Sequence, residues 1–278
     1  MNVDRTHPPS LPSTPTGSGV DRGGPRNTVG HFMRGPVVVV APEHSLEEAR
    51  ALLDKHGISS VGVVDAGGEL VGVLSRTDLL RFAHTQGPGA LIDFGAATIA
   101  QALTRPATTV TPATSLAEAA GRMVDRHIHR LYVVDRGRTV GVFGTRDAMN
   151  ALADRRVPTA IEGYMSAPVL AIQVNETLGQ ALDLLRGAGV SGLAVNDGEW
   201  PVGLFTQREA LEARDRTPDV PVEEVMTSAL LCLQHDTPIY RAAALAAATR
   251  ARRVLAVRDR HCVGLLSGLD FTRALREA

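Results

Sequence analysis

Lysine is almost missing from this 278-residue chain: Lys55 is the only one, and every other basic side chain is arginine. That bias is one of composition and carries no functional signal by itself. Aromatic residues are few, with six Phe, three Tyr and one Trp, which argues against a surface that stacks on the bases of single-stranded nucleic acid. An excess of either charge is also lacking, since 29 basic and 30 acidic residues leave a formal net charge of −1. A nucleic-acid polymer or an anionic membrane is therefore not expected as a partner. No apolar run approaches the ~18 residues that a membrane span needs, and no apolar stretch of a secretory signal opens the chain. A cytoplasmic protein is expected. The two cysteines, Cys232 and Cys262, form no CxxC motif and fit reduced thiols, although their number alone leaves a disulfide open. Catalytic signatures are missing as well. The histidines make no His-Glu-x-x-His motif, His127 and His129 have no evident third metal ligand, and there is no Gly-x-Ser-x-Gly elbow or Walker loop. Neither an enzyme nor a catalytic cofactor is expected.

What the sequence does contain is a repeat of about 61 to 69 residues. Four apolar runs close with the same punctuation: Gly72-Val-Leu-Ser75-Arg-Thr-Asp78, Gly141-Val-Phe-Gly144-Thr-Arg-Asp147, Gly203-Leu-Phe-Thr206-Gln-Arg-Glu209 and Gly264-Leu-Leu-Ser267-Gly-Leu-Asp270. Before each lies a second β-rich run, beginning at Ser60, Arg130, Gly192 and Arg253. Short polar turns such as Asp65–Gly68 and Asp197-Gly198 join the runs, the pattern of an antiparallel hairpin. Upstream of each hairpin a helix announces its start. Ser45-Leu-Glu-Glu48, Ser115-Leu-Ala-Glu118 and Thr177-Leu-Gly-Gln180 read as capping boxes, and Pro238 reads as a first helical residue. Gly57 and Gly189 are placed to end two of these helices in the left-handed conformation. Each copy thus reads strand, helix, strand, strand, helix, an α/β (α+β) unit whose small sheet needs a partner to bury it. The copies span 30–83, 98–153, 158–214 and 219–278, after a tail of 1–29 rich in Pro, Gly, Ser and Thr that is expected to be disordered. The longer connection 84–97 and the break near 154–159 group them as 30–155 and 158–278.

These residues resemble the CBS (cystathionine-β-synthase) domain. A lead Met followed shortly by a strand appears as Met33-Arg-Gly-Pro-Val37, Met165-Ser-Ala-Pro-Val169 and Met226-Thr-Ser-Ala-Leu230, while copy 2 has Leu103 at that place. The resemblance covers about 245 residues and recurs in register. It implies two pseudo-symmetric pairs (Bateman modules) with two clefts each, which in many members hold adenosine compounds such as AMP, ADP, ATP or S-adenosylmethionine. The four-copy arrangement also resembles the gamma subunit of AMP-activated protein kinase. There an acidic residue of the Gly-x-x-Ser/Thr-x-x-Asp pattern contacts ribose and a His-Arg pair contacts phosphate.

Carried over by position, the ribose carboxylates would be Asp78, Asp147, Glu209 and Asp270, with hydroxyls at Ser75, Thr206 and Ser267. Copy 2 has Gly144 instead, with Thr145 one place along. A carboxylate can accept from both hydroxyls of a ribose, and a helix N-terminus attracts phosphate. The same Ser-x-x-Asp is also a plain helix cap, a role that needs no ligand and does not preclude one. Ahead of the second strand stand Ser59-Ser60, His129-Arg130, Ser191-Gly192 and Arg252-Arg253, so copies 2 and 4 are basic where copies 1 and 3 are small. If copies pair one with two and three with four, each cleft gains a basic wall opposite a small one, suited to a phosphate. The most complete set is Ser75 and Asp78 facing His129 and Arg130, then Ser267 and Asp270. Glu209 carries an extra methylene that intrudes on the ribose, and Val61 and Leu131 are read as lining for a flat base. The expected protein is a stand-alone sensor of adenine nucleotides that signals to a client protein, its modules forming either an internal disk or, by self-association, a homodimer. A ligand-free scaffold is the alternative.

Overall fold

A computed structural model describes residues 25–85, 94–190, 192–259 and 261–278. Residues 1–24 of the expected tail and most of the expected connection 84–97 lie outside the described residues. Within the described part, copy 1 comprises α1 (Val29–Phe32), β1 (Val39–Val40), α2 (Leu46–Lys55), β2 (Ser60–Val64), β3 (Leu70–Ser75) and α3 (Arg76–Thr85). Copy 2 comprises β4 (Thr109–Val110), α4 (Leu116–Asp125), β5 (Arg130–Asp135), β6 (Arg138–Gly144) and α5 (Thr145–Arg155). Copy 3 follows with β7 (Ala171–Gln173), α6 (Leu178–Gly187), β8 (Gly192–Asp197), β9 (Trp200–Thr206) and α7 (Gln207–Glu212). Copy 4 ends the chain with β10 (Cys232–Gln234), α8 (Ile239–Thr249), β11 (Arg253–Arg258), β12 (His261–Ser267) and α9 (Gly268–Glu277). In every copy the short first strand pairs parallel with the second, and the second pairs antiparallel with the third.

The helix boundaries follow local chemistry. Ser45 and Thr177 close full capping boxes with Glu48 and Gln180. Ser115 accepts from the Glu118 amide, but the Glu118 carboxylate turns to Arg122 at 2.7 Å, so that box is half made. Pro238 is the N-cap of α8 and not its first residue, with φ −56° but an extended ψ of 134°. Gly57 and Gly189 do take left-handed φ values of 60° and 64°, and in copies 2 and 4 His127 and Arg250 bear the strain of the same turn.

Pairing is built by exchange of the lead segments. Val29, in the lead segment of copy 1, is fully buried among Leu116, Leu131 and Phe143 of copy 2, so ordered structure starts within the stretch expected to be tail. Ile99, leading into copy 2, is buried among Leu46, Val61 and Leu74 of copy 1. Ile161 fills the core of copy 4 and Val222 that of copy 3 in the same way. Each buried aliphatic side chain contributes about 1.5–3 kcal/mol, so four exchanged residues tie each copy to its mate. The lead Met or Leu explains the glycine of the repeat. A Cβ on Gly72 would come within 2.1 Å of Leu103 Cδ1 and 2.8 Å of the Thr104 carbonyl, and on Gly203 within 2.2 Å of Met226 Sδ. Gly141 faces Met33 and Gly264 faces Met165 similarly.

The two modules face each other within one chain, copy 1 opposite copy 3 and copy 2 opposite copy 4. Helices α4 and α5 lie against α8 and α9, and α3 lies against α7. Leu275 of α9 is buried in the core of copy 2, while Met149 and Leu152 of α5 are buried in that of copy 4. Among the described residues no helix is long and apolar enough to cross a membrane, and the two cysteines are unpaired.

Candidate functional site

Each closing strand runs into its helix through a carboxylate that caps it. Asp78 is 4% exposed, and its Oδ2 accepts the Ser75 amide at 2.8 Å and the Ser75 hydroxyl at 2.6 Å. Its Oδ1 accepts the Thr104 hydroxyl at 2.8 Å and meets Arg81 Nη1 at 3.2 Å. Asp147 is 1% exposed; its Oδ2 accepts the Gly144 amide at 2.8 Å, and Arg34 holds it in an ion pair. In copy 3 the Thr206 hydroxyl and amide both donate to Glu209 Oε2. In copy 4 the Ser267 amide and hydroxyl donate to Asp270 Oδ2 at 2.7 and 2.8 Å, while Oδ1 has Arg273 at 3.8 Å. The capping role is thus realised in all four copies. What differs is the second oxygen, which is engaged by Thr104 or Arg34 in module 1 and more open at Asp270.

Thr145 does not replace the missing hydroxyl of copy 2. Its side chain lies where a Cβ on Gly268 would come within 2.7 Å, so it fills the junction between α5 and α9. Val61 and Leu131 do not line a cleft either: both are fully buried in the helix-covered cores. The pleat explains the correction, since it is their neighbours that face across the pair, with Tyr132 against Gly62.

The basic residues take the positions expected from pairing. Arg130 crosses from copy 2 to copy 1 and donates to the Ser60 carbonyl at 2.8 Å, and Ser60 is the strand partner of Ser75. Arg253 lies against Gly192 in the equivalent place, where a Cβ would come within 2.7 Å of its guanidinium carbon, and Gly192 is the strand partner of Thr206. Small residues at 60 and 192 are therefore what admits the two arginines.

Beyond that expectation, the two modules bring their basic pairs together. His129 and Arg252 are solvent-exposed, and Arg252 and Arg253 of copy 4 lie near enough to His129 of copy 2 to disfavour its charge. Burial, then Arg253, Arg252 and Arg130, hold the His129 imidazole at about 4. Arg253, 9% exposed, is lowered to about 10 by burial; Glu209 and Asp270 oppose the fall and Arg252 adds to it. Arg252 is lowered by burial, then by Arg208 and Arg76. A cluster in which cations lower one another's proton affinity is suited to an anion. Arg76, buried and bound to Asp54 at 2.6 Å, belongs to this surround and was not singled out from sequence. Arg34 and Thr104 were also missed, although the repeat aligns them, each directly after the lead residue.

Comparison with known proteins gives these positions a context. The family model of the CBS domain matches residues 29–85, 99–154, 161–216 and 222–277. An uncharacterised protein of Methanocaldococcus jannaschii is 24% identical over 271 residues, covering 90% of this chain and 62% of its own length. A 33.4 kDa protein from the ribosomal RNA operon of Thermofilum pendens is 25% identical over 204 residues, covering 69% and 66%. The chain thus spans a little under two thirds of these relatives. Among solved structures, a Methanocaldococcus jannaschii protein described as an archaeal homologue of g-AMPK matches with a TM-score of 0.76 at 15% identity, covering 89% of this chain and 99% of its own. A conserved protein of Pyrococcus horikoshii matches with a TM-score of 0.65 at 21% identity and the same coverages. At such identities the likeness is one of fold.

Proposed function

Since the chain belongs to the CBS-domain family, with four tandem copies, we propose that it is a regulatory protein that takes up adenine nucleotides between paired copies and passes the occupied state to a partner. The observation that carries this reading is the approach of His129, Arg130, Arg252 and Arg253 to one another where the modules meet, with Glu209 and Asp270 near Arg253. A phosphate chain satisfies clustered guanidinium groups, and a ribose diol donates to a capped carboxylate that still has acceptor capacity. The fold shared with the g-AMPK homologue supports the same assignment. Of the four clefts, we put the ligand first at Ser267 and Asp270 with Arg253, because Asp270 has the more open oxygen. This reverses the order expected from sequence, in which Asp78 led. Thr206 with Glu209 shares Arg253. The reading assigns no catalytic step, and its partner is a client protein or a second copy of the chain.

A ligand-free scaffold is favoured by one observation, that the carboxylates of module 1 already have partners within the protein, Thr104 and Arg81 at Asp78 and Arg34 at Asp147. A thermal-unfolding panel with AMP, ADP, ATP, S-adenosylmethionine and GTP separates the two readings. Ligand at about 100 times its dissociation constant stabilises the fold by ~2.7 kcal/mol, roughly 5–10 °C for a chain of this size. The expected result is a shift with adenine nucleotides that Asp270→Ala reduces most and Asp78→Ala reduces less. No shift with any compound overturns nucleotide sensing and leaves the scaffold.

A further inference from the structure

The residue that follows the lead Met or Leu is Arg34, Thr104, Ser166 or Thr227. Lead-segment exchange puts each of them beside the closing strand of the paired copy. The backbone of Arg34 is bonded to Val142, that of Thr104 to Val73, that of Ser166 to Leu265 and that of Thr227 to Leu204. Three of these residues are small hydroxyl side chains and one is a cation. Where the residue is Thr104, its hydroxyl donates to Asp78 Oδ1 at 2.8 Å, which leaves a charged carboxylate with capacity for another donor. Where it is Arg34, the guanidinium lies along the carboxylate edge, with Nε 2.7 Å from Asp147 Oδ1 and Nη2 3.3 Å from Oδ2. The Gly144 amide takes the remaining direction on Oδ2 at 2.8 Å. The Asp147 side chain is 1% exposed, while that of Arg34 is 50% exposed.

We propose that the cleft of copy 2 is closed by the chain itself: the Arg34 guanidinium occupies at Asp147 the place that a ribose diol takes in the other copies. The proposal rests on the nucleotide reading given above and refines it, because it limits uptake to three of the four clefts. The arrangement has the chemistry of an internal ligand. The guanidinium donates from Nη2 to Oδ2 and sets its charge beside Oδ1, so it covers the carboxylate edge that a vicinal diol would use and adds a charge that a sugar lacks. It also accounts for Gly144. The hydroxyl that holds the carboxylate elsewhere is dispensable here, since Arg34 fixes Asp147 from the other side.

The test is a count of sites by equilibrium dialysis of the full chain with labelled AMP, ATP and S-adenosylmethionine. Arg34→Thr, which gives copy 2 the residue found in copies 1 and 3 of the exchange, is expected to add one site per chain. Thr104→Arg is expected to remove one by closing the Asp78 cleft. Thermal unfolding without ligand provides a second readout. Arg34→Thr is expected to lower the midpoint by several degrees, and Asp147→Asn to restore most of that loss in the double variant, because no buried charge is then left alone. Additive losses in that cycle, or an Arg34→Thr count equal to that of the wild type, overturn the proposal. A wild-type count of zero with one site gained in Arg34→Thr sinks the broader sensing reading while the plug stands.

Discussion

The two halves of the contact between modules are unequal. On the side of copies 2 and 4, Leu152 and Leu275 occupy the same place in the repeat, and each inserts into the core of the opposite copy. On the side of copies 1 and 3 that place holds Ala83 and Arg214. Neither can fill an opposing core: alanine is too short, and Arg214 lies over the Phe94 ring with its guanidinium carbon 5.7 Å from the centroid. Leu80 and Leu211 make the apolar contact there, assisted at the surface by the Thr77 hydroxyl donating to Gln207 at 2.8 Å. Helix α7 is also short, six residues against ten in α9, ending at Glu212 where α9 continues through the positions aligned with residues 213–216. One repeated unit therefore gives a firm joint and a lighter one, according to a single position in its last helix.

The comparison can be broken most directly at the firm joint. Leu152→Ala and Leu275→Ala are each expected to cost about 2–5 kcal/mol, and both modules should report the loss in chemical denaturation. Leu211→Ala, at the lighter joint, is expected near the lower end, about 2 kcal/mol. Equal losses at both joints would abolish the distinction. Hydrogen exchange sharpens it without mutation, with amides of α7 expected to exchange faster than those of α9.

His129 supplies a pH signal. His129 takes up a proton at about 4 in the folded protein against 6.5 for the free side chain. Above pH 6.5 it is neutral in both states and has no effect. Below 6.5 the unfolded chain binds the proton first, so stability falls as pH drops toward 4. His129→Gln is expected to flatten that part of the profile, as measured by unfolding midpoints between pH 4 and 7. The smallest effect belongs to the surface: Thr77→Ala removes one exposed hydrogen bond and should cost about 0.5 kcal/mol.

Much of the fold is legible in sequence because its signals are local. The helix caps at Ser45 and Thr177, the left-handed glycines 57 and 189 and the hairpin turns lie within a few residues of what they control. The pairing was legible as well, since small residues alternate with basic ones ahead of the second strand. The misses share a different cause. Val61 and Leu131 were placed in a cleft because an apolar run does not reveal which face of a short strand meets the helices. Thr145 was read as a hydroxyl donor, when its neighbour across the molecule, Gly268, decides its role. The engagement of Asp147 by Arg34 and the approach of His129 to Arg252 join residues more than a hundred positions apart, and no local period encodes them.

Lead-segment exchange and the reach of Leu275 bear on how the protein is born. During vectorial synthesis copy 1 leaves the ribosome with a gap where Ile99 will sit, and must wait for the start of copy 2. Copy 2 in turn keeps a vacancy for Leu275 until α9 of copy 4 has been made. A nascent chain stopped short of α9 would carry an open pocket in copy 2, a ready flag for quality control, so α9 closes a core begun far earlier in the chain.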